Sequence, residues 1–177
     1  PIVGKAARRQ AIVRSLQQFN QFDLTTIAVR GENLALARSS RSDDAGNEST
    51  VLVVGQIDDD GHVVALLTFD DDDFENAYQE LERRYYGGEG APFAEAGAVM
   101  SKLVAAGNRG DNDAVFELFE PGMRVESRSR TIIPSRALDE LRSSVDEFKA
   151  MVRSSRIWCA AVRWLSPTCA VVRHERE

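Results

Sequence analysis

The sequence predicts an α+β fold in which antiparallel strands, arranged as hairpins, pack against amphipathic helices. Strand-length apolar runs come in adjacent pairs around short turn segments: Gly31-Glu32-Asn33, Asp58-Asp59-Asp60-Gly61 and Ser166-Pro167. Stripes of helical period fill the intervening segments. One stretch, FDDDDFENAYQELERRYYGGEGAPFAE from Phe69 to Glu95, joins a strand end to a helix and then, through a Gly-rich link, to a second series of helices. That stretch divides the chain.

Taken in order, Ile12, Val13, Leu16 and Phe19 fit a helix over 6–19, with Arg8, Arg9, Arg14 and Gln17 outward. Strands follow at Leu24 to Arg30 and Leu34 to Arg38, and a polar loop expected to be mobile runs from Ser39 to Ser49. Thr50 to Ile57 and His62 to Phe69 form the clearest pair, because Asp-Gly supplies the positive backbone angles that a tight turn needs. Both parities of these two strands are apolar, whereas a half-solvated sheet alternates. Both faces should therefore be covered, one by helices and the other by a second subunit.

In the dividing stretch, Asp72 and Glu75 have capping-box spacing, which starts a helix near Asp73. Phe74, Ala77, Tyr78, Leu81 and Tyr85 draw its apolar stripe, and Gly87-Gly88 end it. The acidic run Asp70 to Asp73 reads as solvated carboxylates at the positive end of the helix dipole rather than as a cation site. An EF-hand reading of Asp58 to Asp60 fails, since no glutamate follows at the required spacing. Further on, Ala94 to Asn108 is helical through Val99, Met100, Leu103 and Val104, and Asp111 or Asn112 caps a short helix with Val115, Phe116 and Phe119. Met123 to Arg130 alternates as a strand, Arg136 to Val152 reads as a helix, and Ile157 to Leu165 with Cys169 to Glu175 forms the last hairpin.

Composition bounds the function. With 177 residues, 43% of them hydrophobic, the chain can build one good core or two small ones. A net charge of −6 argues against a general nucleic-acid binder, which needs a concentrated positive surface. No apolar run approaches the roughly 20 residues that span a bilayer, and PIVGKAARRQ lacks the apolar segment of a secretion signal. A cytoplasmic protein with no membrane partner is expected. Cys159 and Cys169 lie on opposite arms of the last hairpin, about four rungs out of register and on the order of 13 Å apart at strand rise, beyond disulfide reach. Two buried free thiols are the expectation.

The two ends of the chain also resemble one another: IAVRGENLALARS, Ile27 to Ser39, aligns with AAVRWLSPTCAVVRH, Ala160 to His174, the second copy having the longer turn. With that order in view, the chain resembles the nuclear-transport-factor-2-like superfamily in its SnoaL-like branch, a cystatin-like cone of curved antiparallel sheet packed on helices. The residues that carry the likeness are the dividing stretch and AGAVMSKLVAAGNRGDNDAVFELFEPGMRVESRSR, Ala96 to Arg130. Tandem domains of this type occur in bacterial, especially actinobacterial, signalling proteins, some attached to adenylate-cyclase or ATPase-regulator modules. The resemblance implies the C-terminal half of one unit at 1–86, a linker at 87–92 and the N-terminal part of the next unit at 93–177. It leaves open whether the cones are completed beyond the chain or by a permuted or swapped arrangement. The sequence departs from the family where many relatives show a His-Arg pair, reading Glu126-Ser127-Arg128, and the short strand after it is eroded to Thr131-Ile132-Ile133.

Enzymes of that superfamily use the cone interior as an apolar pocket with a carboxylate, tyrosine or histidine moving a proton. The matching candidates are Glu126 and His174 as catalytic bases, with Trp158, Trp164 and Arg128 as pocket residues. Each has a plainer alternative. Glu126 and Arg128 have the parity opposite to Met123 and Val125, so they belong on a solvated strand face, and a lone strand histidine such as His174 is commonly packed or at the surface. His174 is placed across the hairpin near Trp158, and the two tryptophans are placed on one face with Ala160 and Val162. Neither a cofactor motif nor metal-ligand spacing occurs. The expectation is a non-catalytic ligand-binding or dimerising accessory module of a larger signalling protein, with a small apolar ligand, a homodimer or neighbouring domains as partners. The alternatives are a SnoaL-like isomerase, cyclase or hydrolase acting on a small apolar substrate, and a purely structural repeat.

Overall fold

The structure is a computed structural model that describes Gln10 and residues 18–128, 136–151 and 155–177. The helix expected over 6–19, the strand residues 129–133 and Val152 fall wholly or mostly outside these, as does the Phe148 side chain. The protein is mixed α+β, and the chain divides into two compact units, Pro1–Gly90 and Ala91–Glu177.

The first unit is an antiparallel meander, β1 (Gln21–Arg30), β2 (Leu34–Ser42), β3 (Glu48–Ile57) and β4 (Val63–Asp70), followed by helix α1 (Phe74–Tyr86). β2 and β3 run further than their apolar residues do. Ser39 to Ser42 pair with Val51 to Glu48, because serine and arginine occupy a ladder without obstructing it, and the expected mobile loop shrinks to a five-residue connection at 43–47. Asp43 closes that connection by accepting from the backbone N–H groups of Ala45 and Asn47, both at 2.9 Å. The β1–β2 turn needs Gly31, whose φ is +56° and whose hydrogens face Glu89; a Cβ there would run into that carboxylate.

Cross-strand partners share a face, so the register sorts the side chains. Ala28, Leu36, Val54 and Leu67 form one row and Arg38, Leu52 and Phe69 another, and the stripe Phe74, Ala77, Tyr78, Leu81 and Tyr85 lies buried over them. The helix starts one residue later than its spacing suggests. Asp73 is the N-cap and makes no side-chain bond to the helix backbone, while Asp71 pairs with Arg38 at 2.7 Å instead. Beneath the helix sits an ion pair: Arg30, 1% exposed, donates to the Glu82 carboxylate through Nε at 2.9 Å and to the Tyr78 hydroxyl at 2.7 Å. Glu80 takes hydrogen bonds from Arg83 at 2.7 and 2.8 Å and from Arg84 at 2.7 Å.

The second unit holds α2 (Ala94–Arg109), α3 (Asn112–Phe116), a two-residue ladder of β5 (Arg124–Val125) with β6 (Arg136–Ala137), α4 (Leu138–Met151), and the hairpin β7 (Ile157–Ser166) with β8 (Cys169–Arg176). Asp111 caps α3 by accepting from the Ala114 N–H at 3.1 Å, and Gly110 ends α2 in the left-handed conformation at φ 68°. Three expectations fail here. Of the strand expected over Met123 to Arg130, only Arg124–Val125 forms among the described residues. Arg136 and Ala137 pair with Val125 and Arg124 as β6 rather than opening α4, which starts at Leu138 with the Glu140 carboxylate accepting from the Ala137 N–H at 3.0 Å. Val99 points outward, 47% exposed, whereas Gly97, Val104 and Ala106 are buried. Gly107 lets Ile157 of β7 approach α2, since a Cβ there would lie 2.9 Å from the Ile157 side chain.

Two predictions follow from the packing of α1. Glu82→Ala leaves the Arg30 guanidinium buried without its carboxylate and should cost about 3–5 kcal/mol in urea unfolding, most of it recovered in the double variant Arg30→Met/Glu82→Leu. The hydrogen-bonded Arg83, aided by Arg84, holds the Glu80 carboxyl down at about 2 from an ordinary 4.5. A depressed folded-state pKa contributes stability above the unfolded value and loses it as pH falls through the folded one. Glu80→Gln should therefore flatten the decline in stability between pH 4.5 and about 2, read from urea midpoints across that window.

Candidate functional site

The five residues singled out in the sequence do not form one site. Glu126 and Arg128 follow β5 rather than lying on it, and both are exposed and paired to each other, Nη2 to Oε2 at 3.3 Å. His174 lies across from Cys159, not Trp158, with its Nδ1 at 4.0 Å from the thiol sulfur, and its ring is exposed. The cause is a β-bulge at Ala160. Cys159 pairs with His174 but Ala161 pairs with Arg173, which leaves Ala160 as the extra residue. The bulge reverses the parity before it, so Trp158 shares a face with Arg173 and Glu175, while Trp164 shares the other with Val162, Val172 and Ala170. Trp164 stacks on Phe93, ring centroids 5.2 Å apart and 6° from parallel. The thiols differ from expectation too: Cys159 is buried, but Cys169, at the mouth of the turn, is exposed.

Among the described residues, one group has metal-ligating types close together: Asp58, Asp60 and His62, whose ligand atoms lie within 4.8 Å of one another on the β3–β4 turn. Asp58 already closes that turn, accepting from the backbone N–H groups of Asp60 at 3.1 Å and His62 at 2.8 Å. This accounts for the cluster as turn chemistry.

The feature that the fold does assemble is the outer face of the first unit's sheet, turned away from α1. The register places Val29, Ala35, Gly55 and Leu66 in one row, Thr26, Ala37, Val53 and Thr68 in the next, and Leu24, Ser39, Val51 and Asp70 in a third. Leu24 is 68% exposed, Leu66 63%, and Val63, which pairs with Ile57 beyond a bulge in β4, 61%. These rows carry one ionisable side chain, Asp70, and the next row on the face, Phe22, Arg41 and Ser49, adds Arg41. The two-parity pattern of β3 and β4 pointed to this face; what it could not show is that α1 covers only the opposite one. In the second unit, a groove of about 470 Å³ is lined by Phe116, Met123, Leu138, Arg124, Arg142 and Asp139 with their neighbours, and by none of the five residues first singled out.

Fold and surface together define a mixed α+β protein with an antiparallel sheet that presents a neutral apolar face. Comparison with protein-family models, curated proteins and solved structures gives no match. No described helix is long and apolar enough to cross a membrane.

The unequal thiols give a direct check on the last hairpin. With a maleimide on the native protein, Cys169 should react quickly and Cys159 only on unfolding; equal rates for both would contradict the register that buries Cys159.

Proposed function

We propose that this chain is a non-catalytic accessory module that dimerises through the outer face of β1–β4, a second copy of the chain supplying the cover that α1 leaves missing. The observation that carries the reading is the exposure on one sheet face of Leu24, Val29, Val63 and Leu66. At about 4.8 Å between strands and 3.3 Å per residue, four strands of this length present a face on the order of 500 Å² before side-chain relief is added. That is of the same order as the roughly 800 Å² per partner of a standard interface. Charge does not oppose a like partner here: two chains of net charge −6 repel wherever acidic surfaces meet, but the rows of this face carry one acid and one base, Asp70 and Arg41. One patch meeting itself about a two-fold axis satisfies both copies at once.

In this reading the two units correspond to parts of consecutive cones of the nuclear-transport-factor-2-like kind. Supporting it, the β-bulge of β7 at Ala160 falls at the aligned position of the bulge in β1, where Thr26 pairs with Ala37 and Ala28 with Leu36, leaving Ile27 extra. A place in a bacterial signalling protein rests on the resemblance alone. The enzyme alternative has no comparable support, since the Glu126 and His174 side chains are both exposed and neither lines the groove.

Sedimentation velocity tests the dimer. The native chain should shift from monomer to dimer across micromolar concentrations, and Leu66→Glu should keep it monomeric with unfolding stability changed by no more than about 0.5 kcal/mol, as expected of an exposed site. A native chain that stays monomeric throughout would end the proposal.

A further inference from the structure

The groove in the second unit has an apolar wall and a charged rim of particular composition. Phe116, only 6% exposed, lines it, and the Arg142 guanidinium lies over that ring, 5.3 Å from the centroid. Arg142 is also ion-paired with Asp113, so its charge is answered within the protein. Met123, Leu138, Pro121 and Ala137 add to the groove's apolar lining. Asp139 is at the rim, in the first turn of α4, where free backbone N–H groups favour a negative side chain. Arg124 is different. It is exposed and lines the groove, and its side chain has no hydrogen-bond or ion-pair partner among the described residues.

We propose that this groove binds a small amphipathic organic anion, with an aromatic or aliphatic body against Phe116, Met123 and Leu138 and a carboxylate or sulfonate on Arg124. The volume, about 470 Å³, lies within the range of roughly 300–1,000 Å³ usual for small-molecule sites. An inorganic anion would leave the apolar wall wet, and a neutral apolar molecule would cover it while leaving Arg124 without a counter-charge. Planar delocalised guanidinium matches a carboxylate in two hydrogen bonds, which a lysine ammonium cannot. This inference does not depend on dimerisation, because the groove and the outer face belong to different units.

The test uses the full chain and two dyes of similar shape, anionic 1-anilinonaphthalene-8-sulfonate and neutral N-phenyl-1-naphthylamine, followed by fluorescence titration. The anionic dye should bind saturably, and Arg124→Gln, at an exposed position, should weaken it about tenfold, in keeping with the loss of a charged hydrogen bond, while leaving the neutral dye unchanged. Ala137→Trp, which fills the groove, should abolish binding of both, with circular dichroism confirming the fold. Leu66→Glu, on the sheet face of the other unit, should affect neither. Unchanged affinity for the anionic dye in Arg124→Gln, or a loss that follows Leu66→Glu instead, would overturn the proposal, and the second result would place the dye on the outer sheet face.

Discussion

A single helix can cover one face of a four-stranded sheet and no more, and α1 carries only one apolar stripe. Phe74, Ala77, Tyr78, Leu81 and Tyr85 are fully committed to the rows that hold Leu36, Leu52 and Val54. The outer rows then keep Leu24 and Leu66 in contact with water, at a cost of about 25 cal/mol for each Å² of apolar surface left uncovered. A sheet whose strands are apolar on both parities is the sequence pattern of a doubly covered layer. The demand for a second cover comes from the strands themselves, and the dimer reading is one answer to it.

The recurring bulge bears on organisation in a different way. Sequence similarity between Ile27–Ser39 and Ala160–His174 could arise from two hairpins independently rich in alanine, valine and arginine. A bulge at the same aligned position is harder to obtain that way, because an extra residue in a ladder depends on pairing with the opposite strand, not on composition. In both hairpins it comes three residues before an arginine, Arg30 in one and Arg163 in the other. The two hairpins therefore share a local geometry finer than their common sequence pattern.

Much of this architecture was legible in the sequence, since hairpins announce themselves through alternation and turn residues. The ends of β3, β4, β7 and β8 fall within two residues of the expected ones. What escaped was whatever depended on pairing rather than on pattern. Nothing within β7 marks Ala160 as a bulge, yet that residue decides that Trp158 and Trp164 face opposite ways and that His174 meets Cys159. The cap of α1 was misplaced because Asp70 to Asp73 offer four like carboxylates in a row; Arg38, reaching across from β2, takes Asp71, and Asp73 rather than Asp72 stands at the N-cap. The groove was invisible for the same reason: Phe116, Arg124 and Leu138 are scattered along the chain and gathered by the β5–β6 ladder together with the packing of α3 on α4.

The two aligned arginines show how one local geometry can serve different ends. Arg163 is exposed, so an arginine at this place in the hairpin is not required to be buried. Arg30 is buried because α1 brings Glu82 and Tyr78 over it, one turn apart on the same helical face. A buried ion pair contributes little net stability compared with apolar packing, since desolvation offsets most of the attraction. Its effect is selective. Sliding α1 along the sheet by one turn would exchange one apolar contact for another at small cost, but it would strand the guanidinium in the core. The pair thus fixes the helix in one position on the inner face, and with it the extent of the outer face that remains open.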